Sequence, residues 1–150
     1  MSILEPSSET LLKLLVLTTR AYEQQLNAEL GAALDPELRP AHYAVFRYLD
    51  PAGSRITALA DAAGMTQQSM GELVTHMERL GYVERRVDPA DRRARLVVLT
   101  ESGRGAMALA GRHMAAIERR LARTLGADGL TDLRGLLSRA RESLVAEGDR

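Results

Sequence analysis

Apolar residues crowd the first segment with helical spacing. Leu11 to Leu30 carries Leu11, Leu12, Leu14, Leu15, Val16, Leu17, Tyr22, Leu26 and Leu30. Ser7 or Ser8 is available as its N-cap and Gly31 as its stop. The first half of this helix is apolar around most of its circumference, whereas a lone amphipathic surface helix needs a single stripe. Two arrangements meet that demand: a second apolar face buried against a partner subunit, or a central core helix in a monomer. Asp35-Pro36 and Arg39-Pro40 then break the pattern, because proline disfavours a helical residue before it. Leu34–Arg39 is therefore a connector.

The pattern next predicts short helices in close succession. Ala41–Leu49 places Tyr43, Phe46 and Leu49 inward, and Asp50-Pro51-Ala52-Gly53 ends it. Ala58–Ala63 follows, with Thr57 as N-cap, and Gly64-Met65 makes a tight turn. Gln67–Leu80 starts from Thr66 as N-cap and stops at Gly81. Its apolar stripe is Met70, Leu73, Val74, Met77 and Leu80, at i, i+3, i+4, i+7 spacing. Its other face is Gln68, Ser69, Glu72, Thr75, His76 and Arg79. Gly71 inside this helix costs roughly 1 kcal/mol relative to Ala, and a close approach to the neighbouring helix or to DNA would account for it no better than tolerated packing does.

Period-two, β-branched character then replaces the helical pattern. Tyr82–Val87 and Arg95–Leu99 read as a hairpin linked by Val87–Arg93. Thr100 caps a long helix, Glu101–Thr124, which ends at Gly126. Asp128 or Gly129 opens the last helix, which runs to Ala146 with Leu130, Leu133, Leu137, Ala140 and Leu144 as its stripe. The expected fold is mainly α (α+β), a winged helix–turn–helix flanked by long helices. Three regions result: 1–40, the first helix and connector; 41–100, the winged helix–turn–helix; and 101–150, the C-terminal helices.

Composition changes this picture in three ways. The 150 residues suffice for one ordinary domain or two small units. The 20 basic and 20 acidic groups give zero formal net charge, which argues against a cation that coats nucleic acid everywhere but not against a local basic patch. With no Cys in the chain, a disulfide framework, a thiolate metal site, a cysteine nucleophile and a thiol sensor are excluded. Met1–Pro6 lacks a basic start and no long apolar run follows, so neither a signal peptide nor a membrane span is expected. A soluble, cytoplasmic protein is the expectation.

The chemistry lies in the middle block. A recognition helix needs an apolar back and a polar front to enter the major groove, about 12 Å wide. Gln67–Leu80 has both. Gln68 matches adenine, Ser69 and Thr75 serve either partner, and Glu72 accepts from cytosine. The helix start at Thr66-Gln67 offers N–H groups to a phosphate. An ordinary amphipathic helix facing water would show the same pattern. The wing is sharper. Glu84–Arg95 holds five arginines (85, 86, 92, 93 and 95) against three acids (84, 88 and 91). A hairpin tip ending in Arg92-Arg93 suits the narrow, electronegative minor groove. Asp91 is placed to hold a guanidinium by a charge-assisted hydrogen bond. The opposing reading is a solubilising hairpin with weak ion pairs.

The stretch MTQQSMGELVTHMERLGYVERRVDPADRRARLVVLTESG (Met65–Gly103) resembles the MarR family of winged-helix transcriptional regulators, most specifically at DPADRR and the following Leu99-Thr100. The resemblance implies a homodimer, with the first and last two helices as its dimerisation region, reading an inverted repeat in double-stranded DNA. It implies that Arg93 is the minor-groove arginine of the wing and Asp91 the acid that orients it. It places Gln67, Gln68, Ser69, Glu72, Thr75 and His76 on the major-groove face, and makes Arg85 and Arg92 phosphate contacts. It further implies a repressor released by a small aromatic or anionic ligand, with Tyr22, His42, Tyr43, Arg47 and Tyr48 as candidates for the ligand crevice. A winged helix that docks protein without specific DNA binding is the alternative; such a module has no need of Arg92-Arg93.

Catalysis is not expected. The three histidines, His42, His76 and His113, lack metal-ligand spacing. No GxSxG, Gly-rich phosphate loop or HExxH occurs, and no motif calls for a cofactor.

Overall fold

The computed structural model describes residues 9–148. The elements are α1 (Leu11–Ala33), α2 (Pro40–Tyr48), α3 (Ile56–Ala63), α4 (Gln67–Arg79), β1 (Val83–Asp88), β2 (Asp91–Leu99), α5 (Glu101–Leu125) and α6 (Ala127–Gly148). The chain is mostly helical with one small antiparallel sheet, as its periodicity predicts. It divides into two compact units, Met1–Gly111 and Arg112–Arg150, the division falling inside α5.

The first unit is built around α2, α3 and α4. Leu30 of α1, Val45 of α2, Leu59 of α3, and Met70, Val74 and Met77 of α4 are all essentially inaccessible, with Val83 and Val97 of the hairpin beside them. Local signals fix most helix ends. The Thr66 side chain accepts from the Ser69 N–H at 3.1 Å, and Thr100 does the same for Gly103 at 3.1 Å. Gly64 closes α3 at φ 65° and Gly81 follows α4 at φ 85°, both in the left-handed region that glycine tolerates.

Four boundaries differ from expectation. The N-cap of α1 is Thr10, whose side chain accepts from the Lys13 N–H; Ser7 and Ser8 lie outside the described residues. The same helix runs through Gly31 to Ala33, because one glycine costs only about 1 kcal/mol when flanking residues favour a helix. The start of α3 is Ile56, with Arg55 at the N-cap position making no side-chain cap, so Thr57 lies inside the helix. The hairpin loop is much shorter than Val87–Arg93: the strands continue to a two-residue turn at Pro89-Ala90. Arg92 and Arg93 therefore sit on β2 behind the turn and not at its tip.

Most of α1 is not a core helix of this chain. Only Leu26 and Leu30 are buried in it, while Leu11, Leu12, Leu14, Leu15, Val16 and Leu17 are exposed. In the second unit, Ile117 is buried and Arg134 of α6 hydrogen-bonds Glu118 of α5. The predicted α6 stripe exists as a helix face but is uncovered: no α6 residue is buried, and Leu133, Leu136, Leu137, Leu144 and Val145 are exposed.

Candidate nucleic-acid interface

The polar face of α4 is held outward by its own apolar back. With Met70, Val74 and Met77 fully buried, helical geometry leaves Gln67, Gln68, Glu72, Thr75 and Arg79 exposed on the opposite side. Gln68, Gly71, Glu72, Thr75, His76, Arg79 and Arg85 line one open groove. A Cβ at Gly71 would meet nothing within 4 Å. No neighbouring helix approaches it, so its backbone faces open space in that groove.

Side chains on this face divide into committed and uncommitted groups. Thr66 and Ser69 bond each other, Oγ1 to Oγ at 2.9 Å. Arg85 on β1 reaches back to α4, donating to Glu78 at 2.8 Å and to Thr75 at 3.0 Å. It ties the wing to the recognition helix. His76 turns its ring inward, with Nδ1 2.8 Å from Nε2 of His42. Gln67, Gln68 and Glu72 make no side-chain bond to another described residue and face solvent.

The wing is fixed from outside itself. Arg55 donates to Asp88 Oδ2 through Nε at 3.0 Å and Nη2 at 2.7 Å. Asp88 Oδ1 accepts the Ala90 N–H at 2.9 Å. The Ala90 N–H first, and the Arg55 guanidinium next, hold the Asp88 carboxyl below its usual range. Strand register is regular from Val83↔Leu99 to Val87↔Arg95 and then jumps to Asp88↔Asp91. Arg92, Arg93 and Ala94 thus have no partner across the ladder and form a bulge, a feature that re-aims side chains. Asp91 does not grip the Arg93 guanidinium. Its Oδ1 accepts the Arg93 backbone N–H at 3.0 Å, and the guanidinium near its other oxygen is that of Arg55, at 3.9 Å. Asp91 orients Arg93 through the main chain, which leaves the guanidinium exposed. Arg92, Arg93 and Arg95 make no side-chain hydrogen bond or ion pair with any described residue.

Two features escape sequence reasoning because they join distant segments. Ser54 exchanges both backbone hydrogen bonds with Val97, at 3.0 and 2.8 Å, and adds an isolated antiparallel bridge to β2. Gly103 is required because a Cβ there would lie 2.0 Å from the Tyr82 carbonyl oxygen.

The suggested ligand residues are less tightly grouped. Tyr43 is buried and its hydroxyl has no partner; burial pushes its pKa up, with a smaller contribution from Tyr82. Arg47 pairs with Glu23 at 3.3 Å. Tyr48 is exposed and Tyr22 half-buried. His42 is buried and spent on backbone and His76 contacts. Among the described residues no three His, Asp or Glu side chains converge as metal ligands, and no helix is long and apolar enough to cross a membrane.

A three-helix core with an outward polar helix and an arginine-bearing hairpin defines a winged helix–turn–helix protein. Residues 37–94 match the model of the MarR family. The transcriptional regulator HosA of Escherichia coli O111:H- is 41% identical over 76 residues, 50% of this chain and 56% of that protein. The chain thus spans about half the length of the curated relatives it matches. The transcriptional repressor CouR, solved on a 23-mer DNA duplex, is 27% identical over 93% of this chain and 99% of its own, with a TM-score of 0.74. A solved structure of MarR is 23% identical over 97% and 99%, with a TM-score of 0.79, which extends the likeness in fold to nearly the whole chain.

Proposed function

We propose that this protein is a dimeric, sequence-specific DNA-binding regulator of transcription, acting as a repressor that a small ligand releases. The observation that carries the reading is the division of side chains on the outward face. Gln67, Gln68 and Glu72 on α4 and Arg92, Arg93 and Arg95 on the wing are exposed and uncommitted, while Arg85, Asp91 and Arg55 are spent on holding the two elements in place. Uncommitted amides and a carboxylate suit base edges in the major groove. Uncommitted arginines on a bulged hairpin suit phosphates and the minor groove. The CouR likeness supports the same use of the fold, since that repressor was solved on a duplex.

Dimerisation is supported by the exposed leucines of α1 and of α6, each an apolar face that a single chain leaves in water. Two copies related by a two-fold axis would present two recognition helices to an inverted repeat with half-sites about one helical turn apart. Within this reading α1, α5 and α6 form the dimerisation region and residues 41–100 the DNA-binding region. Ligand release would act by population shift, the ligand favouring a spacing of the two recognition helices that mismatches the operator. The buried, unpartnered Tyr43 hydroxyl supports a polar ligand nearby, since an unmet buried hydroxyl costs about 1–3 kcal/mol. Tyr22, His42, Arg47 and Tyr48 are the other candidates.

Gel-shift titration against genomic fragments tests the central claim. A subset of fragments should bind far more tightly than the bulk. Arg93→Ala should weaken that binding and reduce the salt slope by roughly one phosphate-equivalent. Uniformly weak binding to every fragment would instead fit a protein-docking winged helix.

A further inference from the structure

The inward turn of His76 is not accounted for by base reading. His42 stands in the first turn of α2, 5% exposed, and its Nδ1 accepts the Arg39 backbone N–H at 2.9 Å. An acceptor nitrogen carries no proton, so neutral His42 holds its hydrogen on Nε2. That nitrogen lies 2.8 Å from His76 Nδ1, which must then accept, and the His76 proton must sit on Nε2. His76 Nε2 is buried with no hydrogen-bond partner. The nearest carboxylate oxygen, on Glu37, is 3.8 Å away. Bond direction is thus fixed at every step from the start of α2 to the recognition helix. The rings meet edge to face, with centroids 4.7 Å apart.

One added proton breaks this chain. A proton on His76 Nδ1 would set two N–H groups against each other at 2.8 Å. His42 could yield only by moving its hydrogen to Nδ1, where the Arg39 N–H already points. A charged His76 also gains attraction to Glu37, which lies on the connector side of its ring away from His42. The other charged groups beside it in the groove are Glu72 and Arg79 on α4 and Arg85 on β1, while Arg39 on the connector acts on His42. Thr75 and Arg79 share α4 with His76, so a shift of the helix that relieves the clash would move its polar face.

We propose that His42 and His76 are positioning residues that hold α4 in its DNA-reading position only while both imidazoles are neutral, so that operator binding weakens as pH falls through the histidine range. The proposal rests on the DNA-binding reading above. Burial, reinforced by the charge His76 can carry, already pushes His42 toward the neutral form.

The test uses the full chain and one genomic fragment selected for tight binding at pH 8. Fluorescence anisotropy at constant ionic strength should show affinity falling about tenfold or more between pH 7.5 and pH 5.5, a range that brackets the unperturbed imidazole pKa of about 6.5. His76→Asn keeps an acceptor near the Nδ1 position without titrating there. Whatever its affinity at pH 8, it should lose most of the pH dependence. His113→Gln, outside the pair, should keep the wild-type profile. Independently of DNA, long-range nitrogen–proton NMR spectra at pH 8 should show both His42 and His76 protonated on Nε2 alone. Tight binding at pH 8 with the same pH profile in the wild type and His76→Asn would overturn the proposal, as would a Nδ1-protonated His76. Failure to bind any fragment selectively at pH 8 would instead overturn the DNA-binding reading itself, and the NMR result would still decide whether the proton order exists.

Discussion

Single atoms set sharp limits at two glycines. At Gly103 a Cβ would sit 2.0 Å from the Tyr82 carbonyl oxygen, and that oxygen also accepts the Thr100 N–H at 3.1 Å. Gly103→Ala should therefore destabilise the protein by about 2–3 kcal/mol, the scale of forced overpacking, read as a lower urea midpoint. At Gly71 a Cβ meets nothing, so Gly71→Ala should stabilise the fold by about 1 kcal/mol. DNA affinity of the same variant should fall if a duplex lies against that backbone. A second residue-scale expectation concerns acid. Burial first, then the adjacent His76, holds His42 below its ordinary 6.5. Between that lowered value and 6.5 the unfolded chain binds more protons than the folded one. The contribution of His42 to stability is complete above about pH 6.5 and declines as pH drops below it. Urea midpoints followed from pH 8 to pH 5.5 should show that decline, and His42→Gln should remove much of it.

At the scale of elements, whatever depended on near neighbours was legible. Thr66 and Thr100 were readable as caps, and Gly64, Gly81 and Gly126 as stops, because each acts within one helical turn. The polar face of α4 was readable from spacing alone. The hairpin was not. Its residues suggest a long basic loop, whereas Asp88 accepts the Ala90 N–H at a two-residue turn and is itself held by Arg55, thirty-three positions upstream. The same distance explains why Thr57 was expected as a cap: nothing local reveals that the α3 N-terminus serves to project Arg55 onto the wing. The His42–His76 contact, thirty-four positions apart, was equally hidden. Arg55→Met should leave the helical core intact by far-ultraviolet circular dichroism, since Arg55 is 44% exposed at its side chain. It should loosen the wing, giving faster amide exchange at Ala90 and Arg93 and weaker DNA binding. Unchanged exchange at both amides would count against Arg55 as the wing's anchor.

For the molecule as a whole, zero net charge coexists with a local excess of arginine on the wing. Glu23 and Glu37 lie on α1 and the connector, while Arg92, Arg93 and Arg95 are concentrated on one strand. On the proposed DNA-binding reading, such a balance would restrain binding to arbitrary DNA while keeping a local footprint. Exposed leucines on α1 and α6 set the remaining whole-molecule expectation. Leu14→Glu combined with Leu136→Glu should shift sedimentation velocity from a dimer to a monomer with little loss of helix, and selective DNA binding should fall with it. A dimer that survives both changes would place the interface elsewhere.

The Arg85 side chain, bonded to both Thr75 and Glu78, also bears on how this protein can diverge. If Thr75 reads a base, as proposed, a substitution there that alters base preference also leaves an Arg85 donor without its Thr75 partner at the seam between helix and wing. Positions 75, 78 and 85 are therefore expected to change together or not at all. Gln67, Gln68 and Glu72 have no such intramolecular ties, and each can be exchanged singly. New binding preferences among descendants of this sequence should arise first at those three sites, with the coupled trio following only when two changes coincide.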